Sequence, residues 1–180
     1  MKKLFIAVAL AVSLSLGGCG MVRQTFGLDA EVSNPFAVAT QPDTHVLAAY
    51  GLITIALEEA ATLAENPETP DRVVLAIARA APIAKSSADL ARTTALEYRR
   101  ARVAYERARD AGLEEQTALL ATATQSAFRL TQVLTQLKTD LATLQRAIVG
   151  ARGDPATVDE ANAELNSAGT VLTAVVQQQP

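Results

Sequence analysis

Few residues in this chain have the type and spacing for chemistry. It holds one histidine, His45, and one cysteine, Cys19. His45 has neither a neighbouring thiol nor an H-E-x-x-H partner, so the sequence spells no zinc site around it, and a surface or capping role is expected. Glu58 and Glu59 are adjacent and point different ways on a helix, so they form no convergent carboxylate pair. The two E-x-x-H pairs of a di-iron bundle, the C-x-x-C-H of c-type haem, G-x-S-x-G and the P-loop are all missing from the sequence. Ser86 and Ser87 offer hydroxyls, but nothing in the sequence positions a base for them. The inventory points to a non-enzymatic protein with no cofactor and no metal.

Cys19 stands apart because of its flanks. "MKK" is a basic start, and "LFIAVALAVSLSL", Leu4 to Leu16, is an uninterrupted apolar run ending at small residues. As a helix this run covers only about 20 Å, short of a hydrocarbon core, so it reads as an export signal before a membrane span. At its end, Leu16-Gly17-Gly18-Cys19 resembles the lipobox of bacterial lipoproteins. The resemblance covers residues 1–20 and implies that Cys19 is acylated and becomes the first residue of the mature chain. Gly20 is not the aspartate that often retains such proteins at the inner membrane, so the periplasmic face of the outer membrane is expected. Two or three acyl chains give stable anchoring to the bilayer, which one chain does not. With a single cysteine, disulfides contribute nothing to the fold.

A second constellation is the arginine-rich stretch "ARTTALEYRRARVAYERARD", which holds Arg92, Arg99, Arg100, Arg102, Arg107 and Arg109 among Glu97, Glu106 and Asp110. Its plain reading is a solvated helix face with acid–base pairs, Glu106 with Arg102 and Arg109 among them. Its sharper reading is a docking face for an anionic envelope partner, formed by Arg92, Arg99, Arg100 and Arg107 with Tyr98 and Tyr105 one heptad apart. The export signal makes nucleic acid a poor candidate for that partner.

The elements that position these residues are helical. At 180 residues, 49% hydrophobic and 4% aromatic, the chain suits one domain with an aliphatic, alanine-rich core. Its net charge is −3; without Lys2 and Lys3, 14 basic against 19 acidic residues give −5. Residues 1–18 are read as the signal peptide and 19–43 as a lipidated tether carrying Phe26 and Phe36, both expected to dock on the domain, with the bilayer as the alternative. The bundle is placed at 44–176 and a tail at 177–180. Helices are expected over about 44–64, 70–110, 113–149 and 155–176. Thr69 and Asp154 serve as caps with Pro70 and Pro155 behind them, and Pro82 kinks or divides the second helix.

Leu130, Leu134, Leu137, Leu141, Leu144 and Ile148 alternate steps of four and three, a heptad seam that continues back to Leu113. The second helix offers a matching seam of Ile77, Ala81, Ala84, Ala88, Ala91, Ala95, Tyr98 and Tyr105, with Arg102 in register. Val158, Ala161, Leu165, Ala168, Leu172 and Val175 supply the fourth helix. The apolar run Val46 to Leu57 is expected to be the most buried. The fold class that follows is all-α, an up-down four-helix bundle whose long antiparallel central hairpin extends beyond the two shorter helices over roughly Ala91 to Ala127. Such a protein is expected to be an envelope scaffold or protein-binding module, with self-association through the leucine seam open. The alternative is a carrier holding a hydrophobic or amphiphilic ligand between its helices.

Overall fold

The protein is described by a computed structural model over residues 34–177. Cys19, the leader, Phe26, the tether up to residue 33 and the last residues of the tail lie outside the described residues. Four helices follow in order: α1 (Pro42–Glu65), α2 (Asp71–Asp110), α3 (Gln116–Gly150) and α4 (Ala156–Gln177). The central hairpin α2–α3 forms the largest interface, α1 packs on α2 and α4, and α4 packs on α3. This is an up-down four-helix bundle, built as the heptad spacing demands.

Every leucine of the α3 seam from Leu130 to Leu144, together with Ile148, is buried. Each contributes about 1.5–3 kcal/mol by leaving water. Facing them, α2 buries Ile77, Ala84, Ala88, Ala91 and Ala95. Small side chains opposite large ones let the axes approach closely. Ala80 is buried at this level, and Ala81, expected in the seam, packs half-buried against the core beside it. The seam closes at Ala123; Leu120 is only partly buried and Leu113 is 45% exposed at the hairpin tip.

α1 is the most apolar of the four helices. It is 24 residues long, and among the described helices it is the one long and apolar enough to cross a membrane. In the bundle it buries Val46, Ala49, Ile53, Ala56 and Ala60 on one face only. Seven of its 24 residues are buried, a share close to that of each of the other three helices. Thr44, Ala48, Gly51, Ile55 and Glu58 form an exposed stripe on the other side.

The helix ends show which residues punctuate the chain. α2 closes in a Schellman turn: Leu113 N–H bonds to Ala108 O at 2.9 Å, Gly112 N–H bonds to Arg109 O at 3.0 Å, and Gly112 takes φ +64°. α3 ends the same way, but with Arg152 at φ 63° in the left-handed position. Gly153 follows it because a Cβ there would meet Leu63 Cδ1 at 2.4 Å. Thr69 does not cap α2. Its hydroxyl donates to Leu63 O at 2.7 Å and so closes α1 instead. Asp154 does cap α4, accepting from Ala156 N–H at 2.9 Å. α2 runs unbroken through Pro82, whose ring is accommodated on the exposed side.

Candidate functional site

The arginine-rich half of α2 is built around a strap that the sequence reading assigned to the tether. Residues 35–41 turn onto the bundle above the start of α1, and Phe36 is fully buried there. Its ring meets Tyr98 at 6.2 Å and Tyr105 at 5.5 Å, both edge-on. Gln41 Nε2 donates to Phe36 O at 3.0 Å and closes the strap into a loop. The expected tether therefore ends before residue 35, and Phe36 docks on the domain.

Tyr98 and Tyr105 are 0% and 2% exposed, so they belong to no docking face. They occupy the seam register that runs from Ile77 through the alanines, and rings at those positions fill space that alanine would leave empty. Arg102, also in register, is 9% exposed. It reaches the buried Asp43 from Nη2 at 3.8 Å and Glu106 from Nη1 at 3.0 Å. Arg99 Nε stands 3.8 Å from the same Asp43. A carboxylate buried at a helix start is tolerable only with such partners. Gln41 Oε1, Asp43 Oδ1, Tyr98 OH, Arg102 Nε and Tyr105 OH find no hydrogen-bond partner among the described residues. Burial raises the Tyr98 phenol well above its ordinary range, against the pull of Arg102.

The predicted docking arginines fall into two groups. Arg92 lies over the Tyr50 ring at 5.3 Å, and Tyr50 OH donates to Asp89 at 2.9 Å. Asp89 also takes the Lys85 ammonium at 2.7 Å, and these bonds hold its carboxyl below the usual range. Arg92 and Arg99 thus help to bind α1 to α2. Arg100 and Arg107 share one exposed face, seven residues apart, and make no ion pair among the described residues. Arg109 pairs with Asp110 at 2.6 Å rather than with Glu106.

Two further contacts cross the bundle. His45 Nδ1 meets Glu164 Oε2 at 2.6 Å, joining α1 to α4. Ser87 Oγ donates to Asp140 Oδ2 at 2.5 Å, joining α2 to α3. The Ser87–Asp140 bond bridges the two helices of the hairpin. No group of three His, Cys, Asp or Glu able to hold a metal occurs among the described residues.

Two grooves open to solvent lie outside the seams. One, about 390 Å³, runs between α2 and α3 over Ala76, Ala80, Ile83 and Ala147, with Arg79 and Arg146 at its edges. The other, about 460 Å³, lies between α3 and α4 beside Lys138, whose ammonium burial pushes below its ordinary value. The strap and the Asp43–Arg102 pair carried no sequence signal beyond Phe36 itself, whereas the Arg102–Glu106 pair follows from its four-residue spacing. The partners of Asp43 and His45 lie far along the chain. In comparison with known proteins, the chain matches no family, no curated protein and no solved structure.

Proposed function

We propose that the chain is a lipid-anchored, non-enzymatic module of the bacterial cell envelope that presents its helical hairpin to another envelope protein. The observation that carries this reading is the exposed Arg100–Arg107 face on the hairpin, without a carboxylate partner among the described residues, while Arg92, Arg99 and Arg102 are engaged within the bundle. Guanidinium groups presented in this way suit an acidic partner surface. The anchor is Cys19, with the periplasmic face of the outer membrane as its site, on the strength of the lipobox sequence. The carrier alternative needs space between the helices, whereas the seams are filled by leucine and alanine and both grooves open outward.

In-cell crosslinking of the lipidated chain tests the reading. Arg100→Glu with Arg107→Glu is expected to abolish the crosslinked envelope partner while the chain remains folded, and unchanged crosslinks would refute the docking role. Cys19→Ser is expected to lose incorporation of a labelled fatty acid and leave the membrane fraction; retained label would refute the anchor.

A further inference from the structure

The bundle separates its charges by layer. α1 and α4 together carry seven Asp and Glu and no Lys or Arg. α2 and α3 carry twelve Lys and Arg against six Asp and Glu. One layer therefore bears −7 and the other +6. Each layer also exposes an apolar feature in the middle of its charge. On the acidic side it is Ile55, 54% exposed on the outer stripe of α1, with Glu58 one turn on and Glu65 two turns beyond that. On the basic side it is the groove floored by Ala76, Ala80 and Ala147 with Ile83, 55% exposed, at its rim. Arg79 and Arg146 flank that groove, and neither meets a carboxylate among the described residues; Arg146 bonds only to its own helix.

The two features stand at one height. The connection from Glu65 to Asp71, the Tyr50–Asp89 bond and the Asp43–Arg102 pair set the register of α1 against α2. On that register Ile55 falls level with Ile83, within about one helical turn of 5.4 Å. They lie on different sides of the bundle, so one chain cannot join them.

We propose that the chain associates with itself side by side. The Ile55 ridge of α1, with Glu58 and Glu65, seats in the α2–α3 groove between Arg79 and Arg146 of the next copy. The acidic ridge and the basic groove are opposite in charge, and both are surfaces of this same protein. The contact is heterologous: each contact uses the ridge of one copy and the groove of the next, leaving one ridge and one groove free per pair, so association builds an open row or a ring. Equal heights let parallel copies sit level, which suits anchoring through Cys19 on one membrane. Only that last point rests on the proposed anchor, and the Arg100–Arg107 face takes no part.

The test uses the chain from residue 19 onward with Cys19→Ser, so that no lipid drives association, and reads its mass by analytical ultracentrifugation. At low salt the mass is expected to rise with concentration. Screening at high salt is expected to raise the dissociation constant at least about tenfold. Arg79→Glu with Arg146→Glu, and separately Glu58→Arg with Glu65→Arg, are each expected to remain monomeric and to keep the helical circular dichroism of the parent. Mixing the two variants is expected to restore association, because each reversed groove then meets a reversed ridge. A parent chain that stays monomeric, reversed variants that associate like the parent, or a mixture that does not recover would each overturn the proposal. So would a monomeric parent whose binding to anionic phospholipid vesicles is lost with Arg79→Glu and Arg146→Glu, which would assign the groove to a bilayer.

Discussion

Tyr98 places a phenol inside the core with its hydroxyl unpartnered among the described residues, and burial raises its pKa above the ordinary 10.0. Between pH 10 and its folded value the native state holds a proton that the unfolded state has lost. Stability from this group is therefore complete below about pH 10 and falls as pH rises above it. In urea titrations, Tyr98→Phe is expected to show a shallower alkaline loss than the parent. At pH 7 it should lie within about 1 kcal/mol of the parent, because an unsatisfied buried hydroxyl adds little. An alkaline loss as steep in the variant would show that other groups carry it. The same residue shows what sequence could decide. Seven-residue spacing in register with the alanine seam argued for burial, and that argument holds over the one that placed both tyrosines on a docking face. The His45–Glu164 bond was not legible, because a pairing across 119 residues leaves no local pattern.

At the level of elements, the periodic parts of the chain were readable and the aperiodic part was not. Heptad leucines on α3 and alanines on α2 are buried together when the two helices pack as an antiparallel hairpin, which is how spacing pointed to the bundle. Residues 35–41 have no period, and Phe36 looks alike in a tether and in a strap. Its docking depends on Tyr98 and Tyr105 leaving an aromatic slot above the start of α1. Phe36→Ala empties that slot and is expected to cost about 3–5 kcal/mol in chemical denaturation. A loss below about 1 kcal/mol would mean that the ring stacking does not hold the strap. Pro82 is the converse case: a helix breaker by local rule, overridden because the seam on both sides of it buries α2 against α3.

For the whole molecule, the bundle has two zones of unequal support. Up to about the level of Tyr98 and Leu130, four helices surround each seam residue. Beyond the strap, α2 and α3 have only each other, with Ala108 and Ala123 the buried residues nearest the tip. The two-helix zone is shorter than the expected Ala91–Ala127, because α1 starts level with Arg102 and α4 buries Leu172 and Val175. Local opening costs least where few apolar contacts must be broken. Native-state hydrogen exchange is therefore expected to be faster at amides of Ala104–Asp110 and Leu119–Ala123 than at Leu134–Leu144. Equal protection along the whole of α3 would contradict this division.

The strap also decides how the molecule meets tension. Any pull delivered along the chain from residue 33 arrives first at Phe36, not at the hairpin. It must draw the ring from between two tyrosines, then part Asp43 from Arg99 and Arg102, then His45 from Glu164. These attachments are loaded one after another, from the entry point inward along α1. The N-terminal entry works as a clasp with three successive catches, the first two held by α2 and the third by α4.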